Sequence, residues 1–351
     1  MAKLTLPGFK LAAFATAVAC VVVVLGAFTR LADAGLGCPD WPGCYGHLLW
    51  PNTSEEVAIA ESKFPDAPVE ADKAWPEMVH RYFASSLGLL IIAICFLGWK
   101  TRKAESGLID PVAGTNVRPS PFKLSIFILG LVICQGMFGM WTVTLKLWPQ
   151  IVTAHLLGGM ATLSCLWLLT QRLASCGWVM SAPTYKSVVN LQRLAFAALI
   201  LVIVQIALGG WTSSNYAALA CMDLPQCQGQ WWPAANFAAG FDFTQQVGPN
   251  YLGGLLDNEA RTAIHLSHRM GAVVVTLVLL VLAASLYRVG DLRTSKLATL
   301  LIGVLALQVL LGLSNVYWAL PLPVAVAHNG VGGLLLLTLV TLNHRVFTVQ
   351  K

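Results

Sequence analysis

Residues 268–287 read HRMGAVVVTLVLLVLAASLY, a histidine and an arginine followed by an apolar run without a further charge. A helix of about 20 such residues is long enough to cross the ~30 Å hydrocarbon core of a bilayer. Residues 80–99, HRYFASSLGLLIIAICFLGW, repeat the same opening and the same kind of run. The two stretches therefore predict membrane helices that carry a histidine at one end.

The composition of the whole chain agrees with this prediction. Of its 351 residues, 57% are hydrophobic and 11% are charged, which is too apolar for a soluble domain of this length. We predict an all-α integral membrane protein with eight transmembrane helices arranged as two pseudo-symmetric four-helix bundles. The predicted spans lie near 11–29, 80–99, 123–145, 151–170, 194–213, 265–287, 297–318 and 324–342.

The charges in the loops predict the orientation of these spans. Most lysines and arginines fall in the loops on one side, and the long loop between Arg30 and Glu77 on the other side is acidic. Because short cytoplasmic loops carry excess lysine and arginine, both termini are predicted to be cytoplasmic. The lack of an arginine- and serine-rich transit segment favours the bacterial inner membrane, and the net charge of +6 fits anionic lipid rather than nucleic acid.

Three motifs occur once in each half of the chain, which indicates an internal repeat. They are a Cys-x5-Cys pair, a His-Arg pair at the start of a span, and a Gln-x-x-x-Gly motif followed by a histidine 20 residues after the glutamine. Their positions are Cys38 to Cys44 and Cys221 to Cys227, His80-Arg81 and His268-Arg269, and Gln135 to His155 and Gln308 to His328. We divide the chain into residues 1–172, a cytoplasmic linker at 173–193, and residues 194–351.

A further Gln-x-x-x-Gly motif runs from Gln205 to Gly209, and it resembles the motif from Gln135 to Gly139. Both are followed by a tryptophan and a threonine. Ordinary packing of small residues and an interfacial aromatic belt explain this resemblance sufficiently at the level of sequence.

The four histidines of the repeat are candidate ligands of haem iron. Two axial imidazoles from facing helices can hold one tetrapyrrole between them, so His80 would pair with His155 and His268 with His328. Small residues about one turn further on would let the flat ring approach, although such residues also make ordinary helix contacts in membranes. They are Ala84, Gly158, Gly159, Gly271, Ala272 and Gly332.

Other metals fit the pattern less well. A di-iron centre would require repeated Glu-x-x-His motifs, whereas only Glu77 precedes a ligand histidine in this way and His265 replaces it in the second half. His47 and His344 are interpreted as solvated. A metal site formed by Cys38, Cys44 and His47 is an alternative that lacks one ligand.

Charged groups beside the histidines suggest different roles for the two halves. Glu77 could relay protons, stabilise positive charge or position water, or it could be an exposed acid that complements a helix dipole. Arg81 and Arg269 could bind haem propionates or anchor helices at the membrane surface. Because only the first half has the glutamate, it suits a reacting haem and the second half suits an electron-transferring haem.

The outer cysteine pairs lie where disulfides can form. Structural disulfides are the conservative interpretation for both pairs. The glycines around Cys38 and Cys44 also leave open a bond that is reducible and could exchange electrons.

The chain resembles the haem A synthase family over nearly its whole length. The resemblance is carried by the eight spans, the two outer cysteine pairs, and the sequences around the four histidines: Glu77-x-x-His80-Arg81, Thr153-Ala154-His155-Leu156, His268-Arg269-Met270-Gly271 and Ala327-His328-Asn329-Gly330. It implies oxidation of the ring D methyl of haem O to a formyl group by successive hydroxylations, which gives haem A for terminal oxidases.

The resemblance also assigns the residues. It implies that His268 and His328, with Arg269, hold haem b as cofactor, and that His80 and His155, with Arg81, hold the substrate haem O. Glu77 takes the catalytic role. The implied partners are haem O synthase, cytochrome oxidase assembly factors and membrane lipid, and a homo-oligomer is possible.

Two other functions use the same features. A di-haem b electron-transfer protein of the quinol oxidoreductase kind needs the same ligand pairs but performs no chemistry on the haem. A transporter with parallel repeats could use the histidines as a proton relay.

Overall fold

The computed structural model describes residues 6–105, 122–174 and 177–351, and within these ranges the regular elements are all helices. The helices are α1 Phe9–Leu31, α2 Ser54–Lys63, α3 Ala71–Glu105, α4 Phe122–Thr144, α5 Pro149–Leu173, α6 Ala182–Val189, α7 Gln192–Ser214, α8 Phe237–Gly240, α9 Asn258–Arg288, α10 Leu292–Tyr317 and α11 Leu322–Phe347.

Eight helices of the described ranges are long and apolar enough to cross a membrane, and each contains one predicted span. The predicted all-α, multi-pass membrane fold is therefore confirmed. Most predicted helix ends lie within about two residues of the observed ends, which is the usual uncertainty of a helix boundary. The two largest differences are at the start of α3, which begins at Ala71 instead of residue 80, and at the start of α9, which begins at Asn258 instead of residue 265. Smaller extensions lengthen the end of α3, the start of α10 and the end of α11.

Both early starts have the same cause. The added turns contain charged residues such as Asp72 and Glu259, so hydropathy does not mark them as part of a span. Instead, the Asp257 side chain caps α9 by accepting a 2.8 Å hydrogen bond from the Ala260 N–H. Each helix therefore projects beyond its apolar run and carries its histidine several turns inside the helix.

The membrane helices pack in two sets of four. In the first set α1 and α4 each contact α3 and α5, and in the second set α7 and α10 each contact α9 and α11. The sets meet where α5 contacts α7 and where α11 contacts α1 and α5. Buried leucines such as Leu166 and Leu339 fill the interiors, while side chains such as Leu89 and Leu310 are exposed, as expected for a surface that faces lipid.

The helix ends opposite the cysteine loops are joined to one another. The Leu6 N–H donates to the Leu173 carbonyl at 2.9 Å, and the Gln350 N–H donates to the Trp178 carbonyl at 2.8 Å. The segment predicted as a linker at 173–193 also contains helix α6. It is therefore a packed part of this end of the molecule where the structure describes it.

The outer loops cross from one set of helices to the other. Arg30, at the end of α1, donates hydrogen bonds to the Ser213 carbonyl at 2.5 Å and the Tyr216 hydroxyl at 3.1 Å. From the same half, the Trp148 indole donates to the Gln245 carbonyl at 3.1 Å. These contacts hold the outer ends of the two sets together.

Candidate functional site

Each of the four predicted ligand histidines faces a glycine on the membrane helix that precedes it. A Cβ atom added to the glycine would lie close to the Cε1 atom of the imidazole. The pairs are Gly26 with His80 at 2.9 Å, Gly139 with His155 at 3.5 Å, Gly209 with His268 at 3.2 Å, and Gly312 with His328 at 3.1 Å. The distance at Gly26 is shorter than real Cβ contacts, and those at Gly209 and Gly312 are tight enough that the imidazole would have to shift. Glycine therefore allows the imidazole to lie against the neighbouring backbone.

The structure brings His80 and His155 together. Their ring centroids are 6.5 Å apart and their planes are nearly perpendicular, at 88°. An imidazole nitrogen binds a metal ion such as zinc at about 2 Å, so two imidazoles on opposite sides of one metal have centroids roughly 6.5 Å apart. The spacing of the pair fits two imidazoles on one metal.

One ring nitrogen in each of three histidines lacks a hydrogen-bond partner among the residues that the structure describes. The Nδ1 atoms of His80, His155 and His328 are buried and make no hydrogen bond within the part of the chain that the structure describes. Buried polar atoms in folded proteins nearly always have a partner, and ligand imidazoles usually donate Nδ1–H to one. These orphaned nitrogens are therefore consistent with a buried site that gains partners when it is filled.

Glutamines also lie beside the histidines of the second set. The Gln205 Nε2 atom donates to the His268 carbonyl at 2.9 Å and lies 3.0 Å from His268 Nδ1. The Gln308 Nε2 atom lies 3.3 Å from His328 Nε2. The sequence analysis noted these glutamines as part of the repeat but gave them no role. Their position one turn before each glycine is the signal that could have identified them.

The sequence predicts that small residues near the histidines make room for a flat ring. Three of them instead face the side-chain amides of Gln135, Gln205 and Gln308. A Cβ atom at Gly158 would collide with the Gln135 side chain, and one at Gly271 would collide with Gln205. At Gly332 it would lie 3.4 Å from the Gln308 amide nitrogen. In this structure the small residues therefore make room for glutamine side chains.

Arg81 and Arg269 bind the cysteine loops. Arg81 donates to the carbonyls of Asp40, Pro42 and Gly43, at 3.1, 3.3 and 2.5 Å. Arg269 donates to the carbonyls of Cys221, Asp223 and Gln226, at 2.7, 3.0 and 2.9 Å. Each arginine follows a predicted ligand histidine in the sequence and therefore holds its outer loop next to that histidine, a contact that the sequence did not predict.

Both cysteine pairs form disulfides, with Cα atoms 4.8 Å apart in each. An aspartate inside each loop accepts two backbone hydrogen bonds: Asp40 from Tyr45 and Gly46, and Asp223 from Gln228 and Gly229. The Gly229 N–H, followed by that of Gln228, lowers the pKa of the Asp223 carboxyl. The two loops thus repeat each other in conformation as well as in sequence.

The disulfides also bear on the alternative metal site. Because Cys38 and Cys44 are bonded to each other, neither offers a thiolate to a metal together with His47. The described residues contain no group of three His, Cys, Asp or Glu side chains arranged to hold a metal ion. His47 and His344, which were interpreted as solvated, are both partly buried.

Glu77 is buried, with only 4% of its surface exposed. Its Oε2 atom accepts a 3.0 Å hydrogen bond from the Cys38 N–H, and its Oε1 atom forms a 2.5 Å ion pair with Arg81. The alternative of an exposed acid at a helix start is therefore wrong. Glu77 lies one turn before His80 and joins the disulfide loop to the helix that carries that histidine.

His265 takes the corresponding place in the second set of helices. It is buried, and its Nδ1 atom lies 3.1 Å from the Ala217 carbonyl. Each half therefore has a polar side chain here that contacts its own outer loop. Only the first half has a carboxylate there, which keeps the chemical difference between the halves that the sequence predicted.

Comparisons with known proteins agree with this arrangement. The heme A synthase of Shewanella oneidensis is 49% identical over 324 residues, which cover 92% of this chain and 92% of that protein. The heme A synthases of Caulobacter sp. and Allorhizobium ampelinum are each 28% identical, over 93% and 90% of this chain and 92% and 84% of those proteins. A model of the COX15-CtaA family matches residues 10–340. Because this match spans both sets of membrane helices, the chain belongs to the COX15-CtaA family of cytochrome oxidase assembly proteins.

Proposed function

We propose that the chain is a haem A synthase, which oxidises the ring D methyl of haem O to a formyl group by successive hydroxylations. The observation that carries this proposal is the pair of partly buried histidines, His80 and His155, with a buried carboxylate one turn before His80 at Glu77. The matched relatives that bear the name heme A synthase support the same activity. The product, haem A, would serve terminal oxidases.

Two haem sites follow from this proposal. His80 and His155 would bind the iron of the substrate haem in the half formed by residues 1–172. His268 and His328 would bind haem b in the half formed by residues 194–351, beyond the segment 173–193. The close glycine contacts and the orphaned imidazole nitrogens support these assignments. When bound, haem b would supply one-electron redox chemistry.

Glu77 would be the catalytic residue of the first half. Its two partners, the Cys38 N–H and Arg81, fix the orientation of the carboxylate beside His80. In a buried site of low dielectric, a fixed carboxylate can accept a proton, orient a water molecule or stabilise positive charge that develops on the substrate. The second half has an imidazole at this place and would not perform the same chemistry.

The arginines would support the sites mainly through the loops. Arg81 and Arg269 hold the disulfide loops over the outer ends of α3 and α9. We retain contact with haem propionates as a second role, because the Nε atom of Arg269 is buried and has no hydrogen-bond partner among the described residues. A guanidinium group can bind loop carbonyls and a carboxylate at the same time.

The proposed location is the bacterial inner membrane, with both termini in the cytoplasm. Disulfides in both outer loops support this orientation, since disulfides persist on the oxidising side of that membrane. The expected partners are haem O synthase, which supplies the substrate, and cytochrome oxidase assembly factors, which receive the product. Membrane lipid surrounds the exposed apolar faces, and a homo-oligomer is compatible with them.

The test compares the pigments of purified variants by mass spectrometry. Glu77→Gln keeps an acceptor for the Cys38 N–H but removes the charge, whereas Glu77→Ala removes both. We expect both variants to retain haem b and to accumulate haem O in place of haem A. Glu70→Gln, which changes an exposed carboxylate of the same helix region, is the control and should produce haem A normally.

Two results would count against the catalytic role. A normal yield of haem A from both Glu77 variants would contradict it outright. Loss of haem A in Glu77→Ala alone would assign Glu77 to holding the loop, because the glutamine variant preserves that hydrogen bond.

The chief alternative is a di-haem b electron-transfer protein, and the four equivalent glycine–histidine contacts would serve it equally well. Extraction of the pigments separates the two functions. Haem O or haem A beside haem b supports the synthase, two haem b groups support electron transfer alone, and a colourless protein would favour a transporter.

A further inference from the structure

Three of the four membrane helices that face a ligand histidine carry a glutamine one turn before the ring-facing glycine. The pairs are Gln135 with Gly139, Gln205 with Gly209, and Gln308 with Gly312. On α1, the residue four places before Gly26 is Val22. The exception therefore lies opposite His80, the histidine next to Glu77.

The amides of the second half contact their histidines directly. Gln205 Nε2 lies 3.0 Å from His268 Nδ1, and Gln308 Nε2 lies 3.3 Å from His328 Nε2. The Oε1 atoms of both glutamines are buried and have no hydrogen-bond partner among the described residues. Each amide therefore holds an unused acceptor beside an imidazole.

An unused acceptor is what a ligand imidazole requires. A neutral imidazole that binds iron through Nε2 carries its hydrogen on Nδ1 and must donate it. A carboxamide has donors and an acceptor on one rotatable group. It can donate to the imidazole in this structure, and after rotation its oxygen can accept the Nδ1–H of a bound ligand.

The first half differs from this arrangement. The Gln135 amide packs against Gly158, and its Nε2 atom is buried without a hydrogen-bond partner among the described residues. At His80 the polar group opposite the imidazole is the backbone of Val22, which makes a hydrogen bond to the ring.

We propose that Gln205 is the positioning residue for His268: its side-chain oxygen accepts the Nδ1–H of the ligand imidazole and fixes the orientation of the ring. Gln308 faces Nε2 of His328, the nitrogen that would bind iron, so it takes no part in this role. The assignment of Gln205 rests on the proposed function, because it assumes that His268 binds haem.

The second half is tested by the midpoint potential of haem b in the purified protein. Gln205→Glu offers a charged acceptor, which makes the imidazole a stronger donor to iron and should shift the potential downwards. Gln205→Leu removes the acceptor and should shift it upwards. Gln171→Leu is the control, since Gln171 is a buried glutamine at the opposite end of α5, and it should leave the potential unchanged.

The opposite signs separate positioning from packing. A role in packing alone would move both Gln205 variants in the same direction or not at all, and either result would overturn the assignment. If Gln205→Leu fails to assemble, the nearly isosteric Gln205→Glu still gives a shift whose sign is decisive.

Pigment analysis of the same samples keeps the two proposals apart. If the protein holds two haem b groups and no haem O or haem A, the synthase function fails. The potential shifts of the Gln205 variants would still decide whether the glutamine positions its histidine.

Discussion

Gly312 shows how a missing side chain can determine where an imidazole lies. A Cβ atom at this position would come within 3.1 Å of His328 Cε1, which is closer than nearly all real contacts of this kind. Gly303 belongs to the same helix, α10, and a Cβ atom there would meet nothing within 4 Å. The chain therefore offers a matched pair of glycines.

We expect Gly312→Ala to weaken haem retention in the second half by about 10-fold, because the displaced imidazole loses its alignment. Gly303→Ala should retain haem fully and stabilise α10 by about 0.5–1 kcal/mol, since alanine is the better helix former. Haem content per protein after gel filtration measures the first effect, and thermal unfolding measures the second. Equal haem content in both variants would contradict the close-contact argument.

Asp223 provides a prediction about pH. The Gly229 and Gln228 N–H groups lower its pKa below the ordinary value of 3.8. A carboxyl with a lowered pKa stabilises the fold above the pKa of the unfolded chain, and this contribution is lost as the pH falls through the pKa of the folded protein. We therefore expect the Cys221 to Cys227 loop to loosen only below about pH 3.8.

Hydrogen exchange at Gln228 and Gly229, corrected for its intrinsic dependence on pH, measures this effect. Asp223→Asn removes the charge and should already exchange faster at neutral pH. Protection that stays constant from neutral pH to below pH 3 in the original protein would show that the carboxylate does not hold the loop.

For single residues, the sequence predicted the candidate ligands, the candidate catalytic residue and the disulfide cysteines, but few of their contacts. The four histidines and the disulfide cysteines could be identified because their spacing repeats, and Glu77 because it departs from the repeat, which has His265 at the corresponding place. The partners of Arg81 and Arg269 could not, since hydrogen bonds to backbone carbonyls depend on loop conformation and leave no pattern of side chains.

The loop clamp is the main feature at the scale of elements. Arg269 lies on α9 and donates three hydrogen bonds to carbonyls of the Cys221 to Cys227 loop. Hydrogen bonds from a charged group contribute about 1.5–3 kcal/mol each, and removal of the group leaves the acceptors unsatisfied. The contact therefore couples the outer loop to the helix that carries His268.

We expect Arg269→Ala to lower the free energy of unfolding by about 3 kcal/mol and to expose the loop to proteolysis. Arg293→Ala removes an exposed arginine that pairs with Asp291, and it should cost under about 1 kcal/mol. Unfolding in detergent and the rate of loop cleavage check both values. A similar small loss for the two variants would mean that the loop is held by its disulfide alone.

Hydropathy predicted the membrane spans well and their extensions poorly. The apolar run of α9 fixes the predicted start at residue 265, but the polar turns before it are helical because Asp257 caps them and the loop packs on them. Local capping and tertiary packing override hydropathy at such ends. The same reason explains why α2, with its Thr53 and Glu56 capping box, was not predicted inside the acidic loop.

The whole molecule has two different faces. Disulfide loops and their arginines cover one end of the helices, and the opposite end is closed by α6 and the paired segments at Leu6 and Gln350. The sequence could predict this polarity from the distribution of lysine and arginine. It could not predict which helices are neighbours across the two halves, because contacts such as α5 with α7 join apolar surfaces that resemble those facing lipid.

A labelling experiment tests the orientation. Ser62, in α2, and Ser187, in α6, are exposed and lie on opposite faces. In intact cells, a membrane-impermeant maleimide should label Ser62→Cys and should label Ser187→Cys only after lysis. The parent protein, with its native cysteines, gives the background. Labelling of Ser187→Cys alone in intact cells would reverse the proposed orientation.

Helix α3 is 35 residues long, so it measures about 52 Å against the ~30 Å of a bilayer core. Counted outward from Trp99 and the cationic residues after it, a span of that thickness ends near His80, and Glu77 stands about 4.5 Å further out. The surface of the outer leaflet therefore passes close to both groups. The thickness of the bilayer would therefore change the surroundings of Glu77. A thicker bilayer would bring acyl chains to the level of this carboxylate, and a thinner one would leave it among hydrated headgroups.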